Sequence, residues 1–379
     1  MGEGVKKLKI ATVYLGRRGG GNLYSLNLAR ELEKHFDQLC LLSSFIENKE
    51  DWQGFKKIYF VQTYRNFREY LVSLVFRGAI KEIKEKILEA GSSIVFFPMA
   101  HLWSASIVVA LKKANPGIKV VTTLHDPILH PGEGNSWLWW LQHRLIKNSD
   151  GLVILSDVYR DKLVQRYRFK NEKILTLPHG PFHDFRFKRK AKREFGKKGS
   201  EEFLIGFIGR IKPYKGLKVL LEAFSSLQAV TPFLKLLIAG DGDLTTQEQK
   251  LLNNIPSEKV FFVNRWLTEE EIAHFVDLSD VIVAPYTGGT QSGVVAIAFA
   301  MDKPVIVSDS GGLPEQVGYG KYGLITKAGD VQSLSTAIMR LYEDENLRQI
   351  LVRNAREYIE HSITWENLAR KLADFLVYV

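Results

Sequence analysis

The chain repeats one pattern of hydrophobic and polar positions: a short apolar run, a turn marked by glycine or proline, and a longer amphipathic segment. In the first repeat, the apolar run 9–15 leads through the turn 16–22 to residues 23–35, whose apolar side chains recur at helical spacing. Comparable runs predict strands at 92–97, 119–123, 151–155, 203–208, 234–239, 260–263, 281–284 and 304–308. Because alternating strands and helices are typical of a parallel sheet covered on both faces, the pattern predicts an α/β protein with two doubly wound domains.

The two series are separated by a stretch rich in glycine, proline and basic residues. Residues 178–200 contain Pro178, Gly180 and Pro181, and eight Lys and Arg residues lie between 186 and 198. Such a composition indicates a linker, although a solvated surface segment would look the same. We therefore predict one domain at 1–178, a basic linker at 179–200, a second domain at 201–355 and a carboxyl-terminal helix at about 356–379.

Composition and charge narrow the class of protein. The 379 residues are 45% apolar and 25% charged, as in soluble globular proteins, and the single cysteine, Cys40, cannot form an intramolecular disulfide. We therefore expect a cytoplasmic protein. Residues 1–178 hold 27 basic and 17 acidic side chains, whereas the remainder holds 25 of each, so the whole net charge of +10 lies in the first half. This asymmetry indicates an anionic partner: nucleic acid, an anionic membrane or a phosphorylated substrate.

The loop after the first predicted strand is rich in glycine. Residues 16–22 contain Gly16, Gly19, Gly20 and Gly21, which permit positive φ and a close backbone approach, and the helix that follows offers free N–H groups to an anion. The spacing differs from the G-x-G-x-x-G fingerprint of dinucleotide-binding loops. The segment is therefore either a phosphate-binding loop or a flexible turn.

Three later loops also follow predicted strands, where ligands of open parallel sheets bind. Arg210 and Lys215 flank a short loop that suits a diphosphate, because a guanidinium fork and a point charge supplement the amides of a helix end. Residues 287–294 place hydroxyls and glycine amides at a helix start, which predicts a second phosphate cradle. His125 emerges from an apolar strand in a loop that continues through 130–133, and it either faces a cleft or is a buried, hydrogen-bonded histidine.

These motifs together resemble the retaining glycosyltransferases of family four. The second half carries Gly209-Arg210 with Lys215-Gly216, then 238–242, 280–285 and 304–315, in the family's order. The first half is similar more loosely, through its glycine-rich loop and Leu124-His125-Asp126. The resemblance implies the GT-B fold, two facing Rossmann-like domains with a cleft between them. It also implies transfer of a sugar, of the hexosyltransferase type, from a nucleoside-diphosphate sugar to a glycan or lipid-linked acceptor with retained configuration, without a metal ion or cofactor.

The resemblance also implies roles for individual residues. Arg210 and Lys215 would bind the donor diphosphate, and His125 would lie near the reacting sugar, which makes these three the candidate catalytic residues. The remaining donor-binding candidates are Gly16, Gly19, Gly20 and Gly209 near the phosphates, Asn264, Arg265, Trp266 and Leu267 around the nucleobase, Thr290 and Gln291, and the amides of Ser292, Gly293 and Val294. No spacing of histidines and cysteines predicts a metal site.

One departure from the family concerns two glutamates, eight positions apart, that contact donor sugar and ribose. The aligned positions here are Gly289 and Ile297, neither of which offers a hydrogen-bonding side chain. A subgroup with Gln-Ser-Gly in this motif lacks the glutamates, and Thr290, Gln291 and Ser292 are available instead. The alternative is therefore a catalytically weak nucleotide-sugar-binding or scaffolding subunit. An epimerase acting on a nucleotide sugar is a weaker alternative, because the sequence lacks the cluster of cleft carboxylates that such proton-transfer chemistry would need.

The basic first half contains two segments that mix aromatic and basic residues. Residues 64–77 do so at roughly helical spacing, and Trp137, Trp139 and Trp140 lie near His143 and Arg144. Either segment could rest on an anionic membrane, at its cytoplasmic face, and present a lipid-linked acceptor, or both could be packing surfaces. No nucleic-acid recognition module is evident, so we expect no nucleic-acid partner.

Overall fold

The computed structural model describes residues 7–76, 78–127, 136–188, 199, 201–228 and 230–379. Residues 130–133 of the histidine loop, Arg77 and half of the predicted linker lie outside these ranges. The described chain forms two compact units. Unit 1 consists of the described residues up to Pro178 together with Trp365–Val379, and unit 2 of His179–Thr364.

Unit 1 is built on a parallel sheet of seven strands in the order β3-β2-β1-β4-β5-β6-β7. The strands are β1 Lys9–Tyr14, β2 Asp37–Ser43, β3 Ile58–Val61, β4 Ile94–Phe97, β5 Lys119–Leu124, β6 Gly151–Ile154 and β7 Ile174–Thr176. Its helices are α1 Gly20–His35, α2 Phe67–Phe76, α3 Gly78–Glu89, α4 Ser104–Ala114, α5 Ser136–Asn148, α6 Arg160–Tyr167 and, at the end of the chain, α15 Trp365–Tyr378. The inner strands are buried and apolar, as expected where helices cover both faces.

Unit 2 has a parallel sheet of six strands in the order β10-β9-β8-β11-β12-β13. The strands are β8 Phe203–Ile208, β9 Leu234–Ala239, β10 Val260–Val263, β11 Val281–Ala284, β12 Val305–Ser308 and β13 Leu324–Thr326. The helices are α7 Phe185–Lys188, α8 Leu217–Leu227, α9 Thr246–Asn253, α10 Glu269–Leu278, α11 Gly293–Ala300, α12 Leu313–Gln316, α13 Val331–Glu343 and α14 Glu345–His361. The predicted α/β class with two parallel sheets is confirmed.

All nine strands that the hydrophobic pattern predicts are present, but the pattern missed four others. β2 follows α1 without an intervening glycine or proline and begins with the polar pair Asp37 and Gln38. β7 and β13 are only three residues long, so their apolar runs fall below the length at which the pattern is informative. β3 was also missed, at four residues.

The carboxyl-terminal helix that joins unit 1 begins at Trp365 rather than near residue 356. Residues before it belong to α14, which unit 2 holds: Ile359 is fully buried and the Tyr358 ring stacks on Tyr322 at 4.5 Å. α15 instead packs on α1, where the rings of Trp365 and Tyr24 lie 5.8 Å apart. Of the helices within the described ranges, none has the length and apolar character needed to span a membrane.

Each sheet has one topological switch point, where successive crossovers leave in opposite directions. In unit 1 it lies between β1 and β4, and in unit 2 between β8 and β11. The crossovers that follow these strands leave in opposite directions, and open α/β sheets bind ligands at the carboxyl ends of such strands. The predicted site loops at 16–22, 209–216 and 287–294 all start at these switch points.

Candidate functional site

The two predicted phosphate loops of unit 2 contact each other at its switch point. The amide of Thr287 donates a hydrogen bond of 2.8 Å to the carbonyl oxygen of Tyr214. Gly216 has φ +74°, and a Cβ there would lie 1.9 Å from the carbonyl oxygen of Pro285. Only glycine fits this left-handed position against another backbone. The structure therefore brings the Arg210–Lys215 loop and the 287–294 loop together.

Two cations stand at this junction without a compensating carboxylate. Lys215 extends over the Tyr286 ring, with its Nζ 3.8 Å from the ring centroid and 5.3 Å from that of Tyr214. Arg210 is exposed directly after β8. Within the part of the chain that the structure describes, neither side chain has an ion-pair or hydrogen-bond partner. An uncompensated guanidinium and ammonium on one strand-end suit a phosphorylated ligand.

The neighbouring strand ends are held by close backbone contacts. Gly209 donates to the carbonyl oxygen of Ala239 at 2.9 Å, and a Cβ on Gly240 would lie 1.9 Å from the carbonyl oxygen of Gly209. The Asn264 side chain accepts from the Gly242 amide at 3.2 Å and donates to the Gly242 carbonyl at 2.9 Å. Asn264 thus positions these loops through its side chain, a role that the sequence did not indicate.

The rest of the predicted nucleobase segment follows β10. Arg265 forms a bidentate ion pair with Glu271, at 2.8 and 2.6 Å, and also donates to the carbonyl oxygen of Trp266 at 3.2 Å. Trp266 has an exposed indole, whereas Leu267 is buried. The polar side chains of this segment, Asn264 and Arg265, are therefore used in contacts within unit 2, and nucleobase binding by this segment stays a prediction.

The start of α11 presents fewer free amides than expected. The Ser292 amide donates to Oε1 of Gln316 at 2.9 Å, and Gln316 Nε2 donates back to the Ser292 carbonyl at 2.9 Å. The Ser292 hydroxyl is 2.8 Å from the Tyr286 hydroxyl. The amide predicted to bind phosphate is therefore used by Gln316, which the sequence did not single out. Gly293 and Val294, the first two residues of α11, lack intrahelical acceptors for their N–H groups.

Nearby positions differ in how open they are. A Cβ on Gly293 would meet nothing within 4 Å, so this helix start has open space beside it. Gln291 accepts from the His179 amide at 3.2 Å, and Thr290 is buried. At the two positions aligned with the family's glutamates, Ile297 is buried in α11, and a Cβ on Gly289 would be 3.2 Å from the Tyr286 ring.

The glycine-rich loop of unit 1 turns sharply at its glycines. Gly19 has φ +78° and precedes α1, and a Cβ on Gly16 would lie 2.4 Å from the Tyr14 hydroxyl. Gly20 faces open space, whereas a Cβ on Gly21 would lie 2.2 Å from Sδ of Met99 in the loop after β4. The switch-point loops of unit 1 are therefore in contact, as those of unit 2 are.

The cations of the unit 1 loop are used within the unit. Arg17 donates to the carbonyl oxygens of Tyr64 and, at 3.1 Å, Arg65. Arg18 forms an ion pair with Glu47 at 3.7 Å. These cations anchor the loop and are not presented to a ligand as Arg210 is.

His125 is anchored at the end of β5. Its Nε2 lies 3.0 Å from the carbonyl oxygen of Pro98, and its ring meets Tyr24 edge to face at 4.9 Å. Burial lowers the pKa of His125 below its usual range, although the bond to Pro98 and the nearby Asp126 act in the opposite direction. Because a carbonyl oxygen only accepts, Nε2 carries the proton of the neutral ring, and Nδ1 is the acceptor nitrogen.

The same strand ends form a pocket of about 380 Å³ that the sequence reasoning missed. His125 and Asp126 line it after β5, His101 lines it after β4, and the rest of its wall is mostly leucine. The His101 ring stacks on Tyr64 at 5.2 Å. Burial, and then the charge of Arg17, lower the pKa of His101 to about 3. His101 follows an apolar strand and Pro98, so the rule that found His125 could have found it too.

Two family models match the chain. Residues 188–358 match the model described as "Glycosyl transferases group 1", and residues 18–181 match "Glycosyltransferase Family 4". The chain is a family-four-like glycosyltransferase of the GT-B fold. The resemblance read from the motifs is confirmed.

Two curated relatives of this glycosyltransferase illustrate its place in the family. It is 26% identical over 241 residues to the capsular polysaccharide biosynthesis glycosyltransferase CapM of Staphylococcus aureus, covering 59% of this chain and 62% of CapM. It is 24% identical to the N-acetyl-alpha-D-glucosaminyl L-malate synthase of Bacillus anthracis, over 96% of this chain and 94% of the synthase. For CapM and three further relatives, the match spans 54–62% of the relative's length.

Among solved structures, the glycosyltransferase is similar to Anabaena HepE in complex with UDP-glucose. The TM-score is 0.77 at 17% identity, covering 98% of this chain and all of HepE's. The likeness shows a shared fold.

Nothing in the described ranges groups three histidine, cysteine, aspartate or glutamate side chains closely enough to hold a metal ion. Independence from metals and cofactors stays a prediction for this glycosyltransferase, as do the roles assigned to its individual site residues.

Proposed function

We propose that this glycosyltransferase is an active, retaining and metal-independent enzyme. It transfers a sugar from a nucleoside-diphosphate sugar to a glycan or lipid-linked acceptor. The observation that carries the proposal is the pair Arg210 and Lys215, two uncompensated cations at the switch point of unit 2. The Anabaena protein HepE, of the same fold, was crystallised with UDP-glucose, which supports a nucleotide sugar as the donor.

In this proposal, unit 2 binds the donor diphosphate. Arg210 supplies a guanidinium fork, and Lys215, held over the Tyr286 ring, supplies a point charge. The N–H groups of Gly293 and Val294 at the start of α11 bind the distal phosphate, aided by the helix dipole. Gly209 lets the backbone after β8 approach the ligand closely. Because the aligned glutamates are absent, Thr290 and Gln291 take over part of the contacts to the sugar.

The bond between the anomeric carbon and the diphosphate breaks as the acceptor hydroxyl attacks the same face of the sugar. The bonding electrons leave with the diphosphate, and the acceptor's proton moves to a leaving phosphate oxygen. Arg210 and Lys215 stabilise the charge that develops there, which is the largest kind of contribution in such chemistry. His125 is neutral, so it orients a hydroxyl through Nδ1 and does not act as an acid.

Replacing either cation tests the proposal. Arg210→Ala and Lys215→Ala should each reduce turnover about 10²–10³-fold, by analogy with removing one oxyanion donor. Lys218→Ala is the matched control, because Lys218 already pairs with Glu222 at 3.6 Å on α8. Transfer and donor hydrolysis would be measured across UDP-, GDP-, dTDP- and CMP-sugars. Unchanged turnover in both variants would overturn the assignment.

The second candidate function is a catalytically weak nucleotide-sugar-binding or scaffolding subunit. Gly289 and Ile297 favour it, because neither position supplies the glutamate that contacts the donor in the family. The two candidates differ in one measurement. A scaffolding subunit would be stabilised thermally by a nucleotide sugar but would neither transfer nor hydrolyse it.

We further propose that unit 1 contacts an anionic membrane surface at the cytoplasmic face. Val72 on α2 and Trp140 on α5 are 55% and 56% exposed, and the Tyr70 and Trp137 rings, 6.1 Å apart, connect the two helices. α5 carries Arg144 and Lys147 but no acidic residue. Exposed tryptophans beside uncompensated cations are typical of interfacial helices.

Vesicle co-sedimentation tests this surface. Binding to phosphatidylglycerol-containing vesicles should exceed binding to pure phosphatidylcholine at low salt, and a Trp137→Ser and Trp140→Ser double variant should reduce it. A Phe261→Ser and Phe262→Ser double variant, on the exposed edge strand β10 of unit 2, should bind as wild type. Equal binding to both vesicle types would discard the proposal.

A further inference from the structure

The pocket of unit 1 lies between α4 and α5, at the ends of β4 and β5, and its volume of about 380 Å³ is that of a small-molecule site. Its apolar wall comes from both helices and from β5. Five leucines form most of this wall: Leu102, Leu124, Leu138, Leu141 and Leu145. Leu138 and Leu141 are only half-buried, so two apolar side chains of α5 face an unfilled volume.

The polar residues of the pocket carry little charge. His101 and His125 both have a pKa below the usual range because they are buried, so their rings are neutral at neutral pH. Gln142 donates to the backbone carbonyl of Asp126 at 2.8 Å and is neutral as well. Among the described lining residues, Asp126 is the only one with an acidic side chain, and none is a lysine or an arginine.

The nearest cation of the switch-point loops does not serve this pocket. Arg17, close enough to disfavour protonation of His101, directs its guanidinium to the carbonyl oxygens of Tyr64 and Arg65. Among the described lining residues, a phosphate or carboxylate placed in the pocket would therefore find no lysine or arginine, so its burial there would carry a desolvation cost without a compensating cation. The described lining of this pocket therefore does not favour an anion, in contrast to the cationic loops of unit 2.

We propose that this pocket binds an uncharged, apolar part of the acceptor, an alkyl or aryl group, with the reacting hydroxyl beside His125. The assignment of the group to an acceptor rests on the proposed transferase function. Binding of the apolar group itself does not, because it needs neither the donor nor unit 2. The basic surface of α5 would then contact an anionic interface, and the neutral pocket beneath it would bind a hydrocarbon chain.

Calorimetry with two uncharged probes tests the pocket directly. Octyl β-D-glucopyranoside, kept below its micellar concentration, should bind at least about 10-fold more tightly than methyl β-D-glucopyranoside, because two or more methylene groups become buried. Leu141→Asn should remove most of this difference. The matched control is Leu251→Asn, since Leu251 is also a partly buried leucine, on α9 of unit 2.

A second variant guards against a folding defect. Ala105→Leu fills the pocket with an apolar side chain, because Ala105 lines it on α4. It should also abolish the preference for the octyl probe, and a melting temperature near wild type verifies that the unit is folded. Equal affinity for both probes, or an octyl preference that survives both Leu141→Asn and Ala105→Leu, would overturn the proposal.

Transfer assays separate this inference from the proposed function. If the octyl preference depends on Leu141 but no sugar is transferred to any acceptor, the pocket stands and the enzymatic function fails. If sugar is transferred equally well to octyl and methyl acceptors, and equally by Leu141→Asn, the function stands and the pocket proposal fails.

Discussion

The two units share a topology but differ in what their switch points present. Both sheets place the first strand of the unit beside the fourth, and in both the loops after those strands touch. In unit 2 the loop cations Arg210 and Lys215 have no carboxylate or carbonyl partner within the described chain, whereas in unit 1 Arg17 and Arg18 are bound to their own unit. We therefore propose that topology sets where a ligand binds, and that internal compensation of the loop charges sets which class of ligand binds there.

The comparison also changes the meaning of the charge asymmetry. The excess of +10 lies in the first half of the sequence, yet the candidate pocket of that half is lined by leucines and neutral histidines. The excess instead includes surface cations on the helices, such as Arg144 over the Trp140 ring at 5.2 Å and Arg166 over Trp139 at 4.2 Å. In the proposal made above, the charge therefore serves a surface that contacts an anionic environment, and the pocket takes the uncharged part of the acceptor.

The largest expected effect on stability is the difference between alanine substitutions at two loop glycines. Gly216→Ala forces a Cβ against the Pro285 carbonyl at φ +74°, and should lower the free energy of unfolding by about 2–4 kcal/mol. Gly20→Ala, at the first position of α1 in unit 1, meets open space and should be neutral or slightly stabilising. Urea unfolding of both variants measures this. Similar losses in both would show that the loops are not held as differently as the structure indicates.

A smaller effect on stability is expected to distinguish Arg17 from Arg210. Arg17→Ala should lower the free energy of unfolding by about 1–2 kcal/mol, because two backbone carbonyls lose a charged donor. Arg210→Ala should leave the melting temperature within about 1 °C, because a surface side chain without partners contributes little to stability. Differential scanning calorimetry would measure both. A loss of stability in Arg210→Ala equal to that of Arg17→Ala would contradict the comparison.

The smallest effect concerns pH. In the unfolded chain His101 has an ordinary pKa of about 6.5, whereas in the folded chain burial lowers its pKa to about 3. Between these two pKa values the unfolded state binds more protons than the folded state. His101 therefore lowers the free energy of unfolding at low pH, and this effect vanishes above about pH 6.5. His101→Asn should therefore reduce the loss of stability between pH 7 and pH 5.5 by about 1 kcal/mol. His35→Asn, at an exposed position, should not. Identical pH dependence in wild type and His101→Asn would remove the basis for a neutral pocket.

The sequence predicted the parts of the molecule in which one strong signal suffices. The buried strand 203–208 and the basic loop after it could be read from an apolar run followed by Arg210, Pro213 and Lys215. The family assignment followed from several such loops in order. The contact between the 209–216 and 287–294 loops could be expected from topology, because strands that are distant in sequence become neighbours at a switch point.

Other parts of the site depend on long-range contacts that no local pattern encodes. Gln316 lies in a short helix 24 residues beyond Ser292, yet it takes the Ser292 amide. The neutrality of His101 results from burial and from the position of Arg17, which comes from another loop. Three of the five pocket leucines read as ordinary core positions of α5, and only the packing of α5 beside α4 and the strand ends leaves a volume between them.

The central claim is that the uncompensated pair at the unit 2 switch point binds a diphosphate, and one titration tests it most directly. Isothermal calorimetry with UDP, GDP, dTDP and CDP would compare wild type, an Arg210→Ala and Lys215→Ala double variant, and Arg17→Ala. We expect the best nucleotide to bind wild type and Arg17→Ala with similar affinity, and the double variant at least about 100-fold more weakly, because two charge-assisted contacts are lost. Equal affinity in the double variant and wild type would contradict the account.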